Sequence, residues 1–328
     1  MIKIQQSFEN RGDIIMRILV FGAGVQGSYL AHTLVRGSND VTVLARGKRA
    51  EQLKKHGLVI RHYFQHKNTI DEVKVIHELQ PDDLYDFIFV VMKYNDFPSV
   101  LPILAENQSQ NIVLVGNNAD AHGMQNILQE KSAVTKNVIF GFQLSGGLRE
   151  ESGRIICLRG GGQLLLGSLD GEITIKPLLE NAFKHVKFKL AYHDDMDAWL
   201  KSHIVSIVAL NSVGYLYDGD LKKVSKDKKL LKQAISVMDE GFQILEKLGY
   251  TITPANQVNF IRKHRQSVYY GLKIMHKLPF MKLMNGSYGE IAALFDSFDK
   301  LKQQLNIATP HWDELEKQAI SKFISNNH

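Results

Sequence analysis

From Arg17 to Phe21 the chain carries β-branched and large apolar side chains, and the run stops abruptly at Gly22-Ala23-Gly24-Val25-Gln26-Gly27. Ser28 to Val35 then resumes with apolar residues at helical spacing. A strand, a tight glycine turn and a helix in that order constrain this chain more than any other feature. In Gly22-x-Gly24-x-x-Gly27 the first glycine permits the turn, the second admits a pyrophosphate to the backbone, and the third lets helix and strand pack closely. The N–H groups that open the helix are free to meet phosphate oxygens. The whole run Gly22, Ala23, Gly24, Val25, Gln26 and Gly27 is therefore the candidate dinucleotide cradle.

Asp40 to Leu44 supplies a second buried strand about twenty residues later, completing a βαβ unit of the length a parallel sheet requires. Further strands are predicted at 57–61, 73–76, 87–92, 111–115 and 138–140, with helices at 48–55, 99–106 and 122–129 between them. That alternation is the pattern of a doubly wound α/β domain. Beyond Glu150, Arg154–Arg159 and Gln163–Leu166 bracket Gly160-Gly161-Gly162 and predict a hairpin or sheet edge. From about Asp194 onward the periodicity is helical, over 195–217, 230–248, 258–273 and 288–305. The expected fold is thus an α/β N-terminal Rossmann-type domain over residues 16–190 followed by an all-α C-terminal domain over 191–328.

A chain of 328 residues exceeds what one compact core usually holds, in agreement with two domains. Residues 1–15 lack the apolar stretch of a secretory signal and read as an extension, disordered or placed before a true start at Met16. The longest apolar runs are far shorter than the roughly 18 residues of a membrane span. The single cysteine, Cys157, can close no disulfide within the chain, and a reducing cytoplasm fits it. A net charge of +6 suits an anionic ligand. The basic runs 222–229 and 262–265 lack the interleaved aromatics of a nucleic-acid site, and the histidines predict no metal centre. The oligomeric state is left open, a homodimer included.

An NAD site places Asp or Glu at the end of the second strand to accept from the ribose 2′-hydroxyl. Here that place reads Leu44-Ala45-Arg46-Gly47-Lys48-Arg49, with no acid. A guanidinium offers a bidentate fork to a 2′-phosphate, so the cofactor is read as NADP, with Arg46 the discriminator. Lys48 and Arg49 read equally well as solvated residues of a helix's first turn.

Taken together, the glycine fingerprint, Lys93 closing the strand Phe89-Val-Val-Met-Lys93, Asn117 after Ile112-Val-Leu-Val115, Trp199-Leu-Lys201 opening a long helix, and Glu290 near the C-terminus resemble the ketopantoate reductase (2-dehydropantoate 2-reductase) family. The resemblance runs from Met16 to about Pro310. It implies NADPH-dependent reduction of a 2-keto acid to a D-2-hydroxy acid in a cleft between the domains, as in making pantoate for pantothenate. It further implies that Lys201 donates the proton, that Lys93 and Asn117 touch the nicotinamide half, and that Glu290 binds cofactor ribose or Lys201. Without it, Lys201 would be read as snorkelling to solvent and Glu290 as a surface acid. Asn118 beside Asn117 leaves that assignment open by one residue.

The departures concern the substrate. The family's substrate helix carries Asn four and eight positions after the lysine, where this chain has Val205 and Ala209. A helix turns about 100° per residue, so Ser212 returns to the Lys201 face while His203 and Asn211 lie off it. A later substrate-binding serine aligns near Leu278. Val205, Ala209 and Ser212 are the expected substrate-facing positions, and a pocket stripped of hydrogen-bonding groups favours a more apolar 2-keto acid. The alternative is a protein that binds NADP without catalysis.

Overall fold

The computed structural model describes residues 15–158, 162–283 and 286–326. The 1–14 stretch, most of the extension expected from the sequence, and 159–161, most of the expected glycine connection, lie outside the described residues. The chain runs β1 (Arg17–Phe21), α1 (Val25–Arg36), β2 (Asp40–Leu44), α2 (Gly47–His56), β3 (Leu58–His62), β4 (Lys67–Asp71), β5 (Lys74–Ile76) and β6 (Phe87–Val91). Then come α3 (Phe97–Glu106), β7 (Asn111–Val115), α4 (Ala121–Glu130), β8 (Asn137–Gln143), β9 (Gly147–Arg149), β10 (Ile155–Cys157), β11 (Gln163–Gly167), α5 (Lys176–Ala182) and β12 (Lys189–Tyr192). Only helices follow: α6 (Met196–Leu216), α7 (Leu221–Val224), α8 (Lys228–Lys247), α9 (Asn256–Lys263), α10 (Arg265–Met275), α11 (Tyr288–Lys302) and α12 (Pro310–Asn326). The expected class, an α/β parallel-sheet domain followed by a helix-rich region, is the class observed.

Eight strands form the main sheet in the order β12-β11-β8-β7-β6-β1-β2-β5, parallel throughout except for the antiparallel pair β8 and β11. The central strands are continuous apolar runs, as burial on both faces requires. Along β1 the side chains alternate between two cores. Leu19 and Phe21 join a core built with α3, α4 and the C-terminal helices, whereas Ile18 and Val20 join one built with α1, α2, α5 and a second sheet. Strand order reverses between β1 and β6, and such a switch point leaves a crevice at the carboxyl ends of the strands.

Of the two expected arrangements around the glycine run, a hairpin or a sheet edge, the hairpin is not the one observed, because the flanking strands β10 and β11 pair in different sheets. β10 pairs with β3 and β9 in a separate four-stranded sheet, while β11 enters the main sheet beside β8. β4, β9, β12 and α5 lie outside the elements expected from sequence: β4 is polar and largely exposed, β12 is a half-buried edge, and β9 and α5 are only three and seven residues long. The helix expected over 258–273 breaks at His264, whose backbone (φ −124°, ψ 38°) leaves the helical region and separates α9 from α10.

Candidate active site

At the switch point each glycine of the turn has a separate physical reason. Gly22 has φ +120°, and a Cβ there would lie 2.2 Å from the carbonyl oxygen of Val91 on β6. A Cβ at Gly27 would lie 1.9 Å from the Gly22 carbonyl oxygen. Gly24 differs, because a Cβ there would meet nothing within 4 Å. Two glycines are thus required by the fold itself, and the middle one fronts open space at the start of α1. The turn is braced by Arg49, which donates from Nε to the Ala23 carbonyl at 3.1 Å, from one terminal nitrogen to Gly153 at 2.7 Å, and from the other to Ser28 Oγ at 2.9 Å. Burial pulls this guanidinium down to about 10, with Arg149 adding to the shift. Arg49 is therefore a structural strut and not the solvated residue the sequence allowed. Arg46 and Lys48 remain exposed past the end of β2, with no carboxylate between Leu44 and Arg49.

A cavity of about 630 Å³ opens between this turn, the carboxyl ends of β6, β7 and β8, and the helical half. Gly24, Val25, Gln26 and Gly27 form the end of it at the glycine turn. Gln26 Nε2 donates to the carbonyls of Gln143 (3.3 Å) and Ser145 (3.1 Å), and Gln143 Nε2 returns a bond to the Gln26 carbonyl at 3.2 Å. Lys93 stands exposed at the cavity wall after β6, and Asn117 follows β7. Asn117 Nδ2 donates to Glu290 Oε1 at 2.9 Å, and the Tyr94 N–H approaches the same oxygen at 3.4 Å. Asn117 Oδ1 is buried with no partner. Asn118 is excluded from the cavity: it builds the turn, accepting from the Asp120 N–H at 2.8 Å and donating to Met124 Sδ. The cavity thus gathers Lys93, Asn117 and Glu290 on one wall region.

The expected substrate helix is α6, capped by Asp195, whose carboxylate accepts from the Ala198 N–H at 3.0 Å. Its orientation overturns four expectations. Lys201 does not line the cavity. It is buried, donates from Nζ to Asp197 Oδ1 one turn back, and lies over the Tyr250 ring at 4.9 Å. Val205, Ala209 and Ser212 share that side and are fully buried in the core, where Val205 abuts Gly241 of α8. The reason lies in the helix itself, which is apolar on nearly every side, so its period alone does not say which face meets the cleft. Leu278, aligned with the family's serine, is exposed beyond α10, and the following turn sends Phe280 and Leu283 to the cavity instead.

The face that does meet the cavity carries His203, Ile207 and Asn211. The His203 ring stacks on Trp199 (4.9 Å between centroids, 12° between planes) and lies 4.2 Å from Phe142 of β8. Its Nε2 is buried without a partner, and burial pushes the imidazole down to about 4. Phe142, Leu144, Phe64, Phe280 and Leu283 make the remaining wall apolar. His203, Ile207 and Asn211 recur at a four-residue step, the spacing of one helix face, with polar side chains at its two ends.

Comparisons with known proteins agree with this frame. The family model for ketopantoate reductase PanE/ApbA matches residues 18–171. A 2-dehydropantoate 2-reductase from Archaeoglobus fulgidus is 26% identical over 245 residues, 74% of this chain and 79% of the relative. Among solved structures, a PanE/ApbA family ketopantoate reductase from Ralstonia eutropha superposes with a TM-score of 0.75 at 15% identity, covering 95% of this chain and 100% of that one. D-mandelate dehydrogenase, solved with NADH and anilino(oxo)acetate, gives a TM-score of 0.76 at 17% identity over 95% and 99% of the two chains. Over 18–171 by family model, and along most of its length by its curated relatives, this chain is thus similar to the ketopantoate reductase family of oxidoreductases, and it shares the fold of the solved structures.

Proposed function

We propose that this chain is a nicotinamide-dependent oxidoreductase that interconverts a 2-keto acid and a 2-hydroxy acid, with NADP(H) as its dinucleotide. The carrying observation is the pairing, in one cavity, of the open space at Gly24 with the unpartnered Asn117 Oδ1. Open space at the head of α1 suits a pyrophosphate, and a buried acceptor without a donor suits the amide or ribose hydroxyl of a nicotinamide nucleoside. The residues present therefore fit the group. When bound, it supplies hydride. Gln26 and Gly27 would hold the pyrophosphate end, and Lys93, Asn117 and Glu290 the nicotinamide end. Arg46, exposed in a stretch that carries no acid from Leu44 to Arg49, favours the 2′-phosphate. The D-mandelate dehydrogenase of similar fold holds NADH, so the choice of dinucleotide rests on Arg46 alone.

The substrate reading keeps its direction and changes its residues. Ile207, Phe142, Phe280 and Leu283, rather than Val205 and Ala209, leave the substrate wall apolar. A branched or aromatic 2-keto acid is favoured over one bearing further hydroxyls, such as ketopantoate. The division into a cofactor domain over 16–190 and a catalytic helical domain over 191–328 belongs to the same proposal. A panel of 2-keto and 2-hydroxy acids followed by dihydronicotinamide absorbance tests it. Turnover of an apolar member is expected. Tight dinucleotide binding with no turnover of any member would instead assign a non-catalytic binding protein.

A further inference from the structure

A second cavity, of about 290 Å³, lies where α1 meets β3 and β4, and it shares no lining residue with the cavity at the glycine turn. From α1 come Tyr29, His32 and Arg36, at the three- and four-residue spacing of one helix face. The second sheet adds His62, Lys67 and Thr69. Each of these side chains can donate a hydrogen bond, and among the described residues no carboxylate lines the cavity. Asp71 of β4, buried and not part of the lining, already uses both oxygens: Oδ2 meets His32 Nδ1 at 2.5 Å, and Oδ1 accepts from Arg36 Nε at 2.6 Å. His62 Nε2 meets Thr69 Oγ1 at 3.0 Å, and the His62 and His32 rings lie 5.2 Å apart. The geometry points to a binding site for a phosphate dianion, free or carried on a small organic ester, held by Arg36 and Lys67 with His62 beside them.

Charge and shape both favour that class of ligand. One carboxylate stands against two permanent cations and two imidazoles, so the cluster carries excess positive charge. Arg36 bonds Asp71 through Nε, and a guanidinium fork has two further nitrogens to offer a second anion. Its side chain is half exposed and Lys67 is exposed, so an anion from solvent reaches both. Donors that converge from a helix and two strands match the several acceptor oxygens of a tetrahedral dianion better than the two of a carboxylate. The volume stands at the lower end of the roughly 300–1,000 Å³ range of small-molecule sites, which suits a small ligand. Burial first, then the neighbouring His32 and Lys67, and Arg36 after them, hold the His62 imidazole below its ordinary value, with Asp71 alone opposing. An anion seated among these cations would relieve that repulsion and favour the imidazolium.

The test follows the His32 and His62 ring resonances of the full chain by NMR, assigned from His32→Asn and His62→Gln spectra. Inorganic phosphate, glycerol phosphate and sodium chloride are titrated at matched ionic strength. Saturable shifts are expected with a phosphate and none with chloride, and His62 should titrate at higher pH when phosphate is bound. Lys67→Gln leaves the Asp71 pair intact and should weaken binding roughly tenfold, and Arg36→Gln by at least as much. Tighter binding of the ester assigns an organic phosphate to the site, and tighter binding of the inorganic ion assigns free phosphate. No saturable shift below about 10 mM of either phosphate, shifts that chloride reproduces, or an affinity unchanged in both Lys67→Gln and Arg36→Gln would overturn the site.

Discussion

Asn117 Nδ2 donates to Glu290 Oε1 at 2.9 Å, joining the loop after β7 to the first turn of α11 across 173 positions of sequence. The bond sets the orientation of the Asn117 amide, so that its oxygen is left free of protein donors within the cavity. Replacing Asn117 with Leu should weaken dinucleotide binding by about 1–3 kcal/mol, or roughly fivefold to 150-fold. Calorimetric titration checks this, and an unchanged Kd would remove Asn117 from the cofactor site.

The glycines separate folding from binding. Gly27→Ala should lower the melting temperature of the free protein, because its Cβ would press on backbone at 1.9 Å. Gly24→Ala should leave the melting temperature within a degree or two, since a Cβ there meets nothing, yet reduce dinucleotide affinity at least tenfold by filling the pyrophosphate's place. A Gly24→Ala protein that binds normally would place the phosphates elsewhere.

Arg46→Ala should raise the Kd for NADPH by about 10- to 100-fold, the loss expected for one charge-assisted phosphate contact, while changing that for NADH less than about twofold. Equal affinity of the wild type for the two dinucleotides would contradict the reading of this loop.

Lys201 and Asp197 form a buried ion pair with side-chain exposures of 4% and 11%, so Lys201→Ala strands a carboxylate whose next neighbour is the His122 ring nitrogen at 3.6 Å. Removing one partner of such a pair should cost about 3 kcal/mol of stability by urea unfolding. Because Lys201 faces the core, kcat should stay within about twofold of wild type. The double change Asp197→Asn with Lys201→Met should recover part of the stability. A hundredfold fall in kcat without a fall in stability would return Lys201 to the chemistry.

Substrate choice should follow Ile207. Ile207→Asn adds a hydrogen-bonding group to the cavity wall and should raise kcat/KM for ketopantoate relative to 2-ketoisovalerate by about 1–2 kcal/mol, roughly fivefold to thirtyfold. Val205→Asn, which buries an amide against α8, should unfold or destabilise the protein without that shift in preference.

What was legible in sequence was local or periodic. Gly22, Gly24 and Gly27 reveal the turn because a required backbone angle and a forbidden Cβ are properties of single positions. The apolar runs at β1, β2, β6 and β7 reveal a parallel sheet because strands covered on both faces have nowhere to place polar side chains. Lys93, Asn117 and Glu290 could be named through the family resemblance, which their places at element ends support, whereas Glu290 by its residue type alone would read as a surface acid. Helix α6 obeyed neither condition. Its period relates Lys201 to Val205, Ala209 and Ser212 at about 100° per residue, but an angle between residues carries no origin. Only packing supplied one. Val205 seats against Gly241 of α8, Lys201 closes on Asp197, and the opposite face, with His203, Ile207 and Asn211, turns to the cavity. A helix buried on nearly all sides holds its orientation through contacts made far along the chain, so which face of α6 meets the cavity was decided in three dimensions.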